Sequence, residues 1–221
     1  MVSLLDIIGP VMVGPSSSHT AGACKLGLFA RAVAGGQPES ARVELHGSFA
    51  RTGIGHGTDR AIAGGLLGFR PDDERLRESL EMAGPSGLAV QFSKTKLRGA
   101  HHPNTARITV TRGGETAAIL GSSLGAGRIL VTGIDGFPVE ITAEYPTIVL
   151  VAHDEPGTVA AVSHALSERR INIATMRVSR RKRGGDAIQV YELDAPAAPD
   201  VVEGLRALPA VRRARTIERI S

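Results

Sequence analysis

A chain of 221 residues, 42% of them hydrophobic and 22% charged, can bury the core of one large domain or two modest ones. Aromatic residues are only 3%, with no tryptophan, so the core must be aliphatic; the single cysteine excludes a disulfide framework within the chain and suits a reducing cytosol. The net charge of +4 and pI near 9.7 raise nucleic acid as a partner, but basic residues are mostly interleaved with acidic ones and stacking aromatics are scarce, so no nucleic acid is expected.

Residues 1–12 are apolar but carry no basic segment before them and no cleavage motif after them, so no signal peptide is expected. No apolar run approaches the roughly 20 residues of a membrane span, so a cytoplasmic protein without membrane contact is expected. Residues 19–34 read as a helix and "ARVELHGSF" as a strand. "TDRAIAGGLLG" reads as a helix with Thr58 or Asp59 as N-cap, and "DDERLRESLEMAG" as a polar-faced helix. "LAVQFS", "ARITVTR", "ETAAILGSS" and "GRILVTGI" read as strands, the middle pair joined in a hairpin at Gly113-Gly114.

Composition shifts near "FPVEITAEYPTIVLVAHDEPGTV". The strand "TIVLVAH" precedes the amphipathic run "TVAAVSHALSERR", where Val159, Val162, Ala165 and Leu166 share one helical face. "INIATMRVSR" and "AIQVYEL" read as strands around the turn "RKRGGD", "APDVVEGLRAL" as a helix and "VRRARTI" as a last strand. The order strand-helix-strand-strand-helix-strand is the ferredoxin-like βαββαβ unit. The expected fold class is therefore α+β, with domains at 1–142 and 146–221.

Four motifs bear chemistry. In "GPSSSHT", residues 14–20, a serine caps a helix well, because its hydroxyl accepts an orphan backbone amide. A cap does not explain His19, which is ill placed beside a positive helix end if charged. Hydroxyls around a helix start also make an anion cradle, so cap and ligand site both remain open. In "HGSFARTGIGHGTD", residues 46–59, two histidines, two threonines, a serine and an aspartate lie among four glycines, with His56 beside a helix start. Two such clusters favour catalysis over structure. In "HHPNT", Pro103 in an extended stretch would put His102 and Asn104 on one side, as an amino-acid contact or simply as a polar loop. "DEPG" at 154–157, with "INI" at 171–173, is ordinary turn chemistry that also exposes amides near Gly157, and "RRKRGG" reads as a solvated turn.

"DIIGPVMVGPSSSHTAGA" with "GIGHGTDRAIAGGLLG" resembles the beta subunit of iron-sulfur-dependent L-serine dehydratase, over residues 1 to about 142. That region is also similar to the allosteric substrate-binding domain shared with some phosphoglycerate dehydrogenases, an α/β fold. "DEPGTVAAVSHALSERRINIATM" resembles an ACT domain, an amino-acid-sensing module. The resemblance implies conversion of L-serine to pyruvate and ammonia by β-elimination, with a 4Fe-4S cluster as Lewis acid and a base removing the α proton. It implies that the cluster's thiolates come from a separate alpha subunit, since Cys24 alone cannot hold it and the chain offers no metal site of its own. It assigns His56 first and His19 second to acid-base work, and Ser16, Ser17, Ser18, Thr20, Thr58 and Asp59 to substrate. It assigns His102 and Asn104 to an effector, with Gly157 and Asn172 as ACT contacts, and implies a homodimer through that domain. The sequence departs from the family pattern at Gly57, where a second histidine is expected. The alternative is a non-catalytic amino-acid-sensing subunit that regulates a metabolic enzyme.

Overall fold

The computed structural model describes residues 11–14 and 16–220, so the expectation drawn from residues 1–12 lies almost wholly outside it. The chain separates into two compact units, residues 1–136 with 140–142, and residues 137–139 with 143–221. No helix among the described residues is long and apolar enough to cross a membrane.

In the first unit a single π-helical turn, Ser17–Gly22, runs into helix α1, Ala23–Val33. Strand β1, Ser40–Leu45, ends sooner than the sequence suggests, because His46-Gly47 turns the chain into a short helix α2, Gly47–Thr52. A 3-10 turn, Ile54–His56, leads to α3, Thr58–Leu67, whose N-cap is Gly57 rather than Thr58 or Asp59. The long polar helix expected next is instead a 3-10 segment, Glu74–Glu78, followed by one turn of helix α4, Ser79–Ala83.

Strands β2 (Ala89–Lys94), β3 (Thr105–Arg112), β4 (Glu115–Gly125), β5 (Arg128–Ile134) and β6 (Phe137–Ile141) complete a sheet of order β2-β1-β3-β4-β5-β6. The β1–β2 pair is parallel, and β1–β3, β3–β4 and β4–β5 are antiparallel. Helix α1 packs on β3 and β4, with the Leu26 methyls seated over Gly121, where a β-carbon would come within 2.6 Å of them.

Helices α1 and α3 approach at Gly27 and Gly65. A β-carbon on Gly65 would lie 2.1 Å from the Cys24 carbonyl oxygen, and one on Gly27 2.4 Å from that of Ile62. The two helix axes can be this close only because both side chains are missing.

The second unit has the order β7 (Thr147–His153), α5 (Thr158–Glu168), β8 (Ile173–Arg180), β9 (Asp186–Leu193), α6 (Pro199–Arg206) and β10 (Val211–Ile217). The sheet order is β10-β7-β9-β8, all antiparallel, which is the ferredoxin-like arrangement anticipated from the element sequence. Ile148, Leu150 and Ala152 alternate inward from β7 to meet Val162 and Leu166 of α5 and Val201, Val202 and Leu205 of α6. Strand β8 lies at the sheet edge and is mostly exposed, with Met176 48% and Val178 44% accessible.

Candidate functional site

Two histidines far apart in sequence meet in the first unit. The π turn, wider than an α turn and a frequent mark of functional positions, carries His19. The end of the 3-10 turn before α3 carries His56. Their ring centroids are 5.1 Å apart, and the His19 ring also meets the Phe49 ring in a T-shaped contact at 5.3 Å.

Each ring is oriented by hydrogen bonds. Ser16 caps the π turn by accepting the His19 backbone amide at 3.2 Å, and its hydroxyl lies 3.4 Å from His19 Nδ1. His19 Nε2 faces the Thr52 and Ser48 hydroxyls at 3.2 and 3.5 Å. His56 Nδ1 donates to the Thr52 carbonyl oxygen at 2.9 Å. A carbonyl can only accept, so in neutral His56 the proton sits on Nδ1 and the Nε2 lone pair is free to take another. Burial, and then the neighbouring His56, hold the His19 pKa below its ordinary value, with the Ser48 backbone opposing, so His19 is neutral at pH 7.

The remaining expected residues divide. Thr20 and His56 share a cavity of about 290 Å³ that Gly14, Arg60, Leu76 and Arg77 help to line. The Thr20 hydroxyl is buried with no hydrogen-bond partner among the described residues, and so is the Thr58 hydroxyl. Ser17 turns toward the β4–β5 turn, where its hydroxyl accepts the Ala126 amide at 3.2 Å, and Ser18 lies near Gly125 of the same turn. Asp59 accepts the backbone amide of Arg60 at 2.9 Å. Ser48, Thr52, Arg60 and Arg77 were not singled out by sequence reasoning, although Ser48 and Thr52 fall inside the 46–59 cluster that raised the question.

His102 and Asn104 are placed differently from each other. His102 lines a broad cavity of about 700 Å³ with His46, Arg51, Lys94, Lys96 and His101, a wall rich in basic groups. Asn104 is outside that lining: its backbone amide donates to His102 Nδ1 at 3.1 Å, and its side-chain oxygen is buried without a partner among the described residues. In the second unit Gly157 caps the start of α5, whereas Asn172 lies beyond the far end of that helix, donating to Asp194 at 2.7 Å and lining a cavity of about 400 Å³ with Ser163, Ser167 and Arg170. One copy of the chain does not bring Gly157 and Asn172 together.

The donor set does not suit an iron-sulfur cluster. Cys24 is fully buried, its thiol donates to the Phe69 carbonyl at 3.2 Å, and burial pushes its pKa up to about 12. A thiol so held is a poor source of the thiolate that iron requires. Among the described residues no three His, Cys, Asp or Glu side chains are grouped to hold a metal ion.

Comparison with known proteins gives two family matches, one described as serine dehydratase beta chain over residues 3–83 and one as ACT domain over residues 147–210. The chain is 40% identical to a Bacillus subtilis protein named probable L-serine dehydratase, beta chain, covering 95% of this chain and 94% of that one. It is 37% identical to the L-serine dehydratase beta chain of Peptoniphilus asaccharolyticus, covering 98% of each. It is also 25% identical to a D-3-phosphoglycerate dehydrogenase of Synechocystis, over 87% of this chain but 35% of that protein.

Proposed function

The chain belongs to the family of L-serine dehydratase beta chains, and on that premise we propose that it carries the acid-base part of a two-subunit L-serine ammonia-lyase. The substrate loses its α proton to His56 Nε2 and its β-hydroxyl as water. The resulting aminoacrylate tautomerises to an imine and hydrolyses to pyruvate and ammonia, so that the water lost is regained. The observation that carries this reading is the His56 hydrogen bond to the Thr52 carbonyl, which fixes the tautomer whose free nitrogen can act as a base. Neutral His19, at the edge of the same pair, keeps the neighbouring charge low while His56 takes up its proton.

A partner alpha subunit supplies the iron-sulfur cluster in this proposal, because the donors of this chain do not fit one. Residues 1–142 and 146–221 act as separate domains, the first at the reaction site and the second as an ACT domain that pairs with a second copy in the cytoplasm. The exposed edge strand β8, with Met176 and Val178, supports that pairing, since an uncovered sheet edge invites another strand. Serine acting as an effector at His102 would couple to the reaction site by the usual 1–3 kcal/mol, roughly 5- to 150-fold in midpoint.

The test is His56→Ala in enzyme reconstituted anaerobically with its alpha subunit. A kcat lower by roughly 10²–10⁴, with the fold intact, is expected for one positioned acid-base group. If only the cooperativity with serine changes, the chain is an amino-acid sensor and not part of the catalytic site. The ACT unit is tested separately: residues 146–221 should sediment as a dimer, and a monodisperse monomer would remove that part of the proposal.

A further inference from the structure

The cavity beside His56 has a polarity that the acid-base reading does not use. Its walls hold two guanidinium-bearing side chains, Arg60 and Arg77, together with the imidazole of His56, and no carboxylate among the described residues. Neither arginine has an acidic partner within ion-pair distance among the described residues, whereas Arg70 and Arg75 nearby are each paired with an aspartate. At the same cavity the Thr20 side chain, only 4% exposed, keeps a hydroxyl with no hydrogen-bond partner among the described residues. A buried hydroxyl left unpaired is unfavourable, which favours a hydrogen-bonding ligand at this cavity.

The fold fixes where both arginines leave the backbone, while their side chains are exposed. Arg60 sits in the first turn of α3, four residues after His56, and its carbonyl accepts the Ser79 hydroxyl at 2.6 Å, which ties α3 to the start of α4. Arg77 comes from the 3-10 segment that precedes α4. With about 290 Å³, the cavity is at the small end of ligand sites and has room for a three-carbon amino acid.

We propose that Arg60, assisted by Arg77 and the Thr20 hydroxyl, binds the α-carboxylate of the substrate and so restricts the reaction to free amino acids. Guanidinium matches a carboxylate with two parallel hydrogen bonds, which fixes the orientation of the α carbon as well as its affinity. Held in this way, the substrate would turn its α C–H toward His56. The inference rests on the placement of the substrate beside His56, and its test separates the two claims.

In the reconstituted two-chain enzyme, Arg60→Ala should raise the KM for L-serine by at least about 10-fold, since each charge-assisted hydrogen bond lost is worth roughly 10- to 150-fold, with a much smaller change in kcat. Arg77→Ala should do the same to a lesser degree, and Arg60→Lys should restore part of the loss. L-Alanine, which has the carboxylate but nothing to eliminate, should weaken as an inhibitor by the same factor, while L-alaninamide should inhibit wild type and variant alike. The inference falls if KM is unchanged in both alanine variants, or if alanine and alaninamide weaken equally. It also falls if the variants lose affinity for the alpha subunit in sedimentation while KM holds, which would make the arginines part of the subunit contact. If His56→Ala retains full turnover but the KM effects appear, the carboxylate site stands and only the choice of base is wrong.

Discussion

The two units contain the same local device put to different ends. In each, a glycine in the left-handed region starts a helix and a threonine follows it: Gly57-Thr58 at φ +71° in the first unit, Gly157-Thr158 at φ +94° in the second. Neither helix has a side-chain cap. The Thr158 hydroxyl donates to the Glu155 carbonyl at 3.2 Å, so that turn is self-contained. The Thr58 hydroxyl, wholly buried, has no partner among the described residues, and the histidine beside it meets a second histidine. A glycine-threonine helix start is thus no sign of a site by itself. In the reading proposed above, the meeting of His56 with His19 beside the unpaired Thr58 hydroxyl, and not the glycine-threonine start, marks the reaction site.

The sharpest way to break this comparison is at the histidines. His56→Ala should carry the loss of 10²–10⁴ in kcat typical of acid-base groups, whereas His153→Ala, ahead of the Gly157 turn, should leave kcat at saturating serine unaltered. Equal losses from both would end the distinction. Next in size is the Gly65→Ala exchange. Its β-carbon has no room beside the Cys24 carbonyl, so about 1–3 kcal/mol of overpacking is expected. The Tm should fall by several degrees, since about 2–4 °C accompanies each kcal/mol in a chain of this size. Unchanged melting would mean that the helices are not held at this contact.

The threonines give a finer test. Thr158→Val removes a made hydrogen bond and should cost about 1 kcal/mol in urea unfolding. Thr58→Val removes an orphan hydroxyl, so stability should hold or rise, and a change in the KM for serine would show what the hydroxyl serves. The smallest effect concerns pH. Because the folded His19 pKa is depressed, the unfolded chain takes up a proton first, and stability should fall as pH drops below the ordinary histidine value near 6.5. His19→Gln should show a shallower fall between pH 7.5 and 5.5; identical slopes would mean that His19 does not titrate in that window.

The second unit was legible almost residue by residue, because its strands alternate over one aliphatic core and its helices carry a single apolar face. The first was less so. In sequence "HGSF" continues the alternation of β1 as a strand, whereas the chain turns at His46-Gly47 toward Pro103 and forms helix α2. Strand β6 has no expectation of its own from the sequence pattern, although Asp135-Gly136, both at positive φ, is a hairpin signal. The π turn has no sequence signature of its own. His19 and His56 stood out through hydroxyl-rich motifs, but their meeting depends on α1 packing against α3, which no local pattern reveals. Arg60 passed unremarked because an arginine in a helix's first turn reads as ordinary solvated surface.

The lone thiol bears on how the protein endures air. Cys24 is fully buried, and its thiol is bound to a carbonyl and held protonated to about pH 12. Oxidants attack thiolates that they can reach, and this one offers neither charge nor access. Cys24 should therefore come through aerobic handling as a free thiol. In the two-subunit reading proposed above, inactivation of the assembled enzyme by oxygen would then not run through this thiol, and thiol titration of the denatured chain after exposure to air should still count one free cysteine.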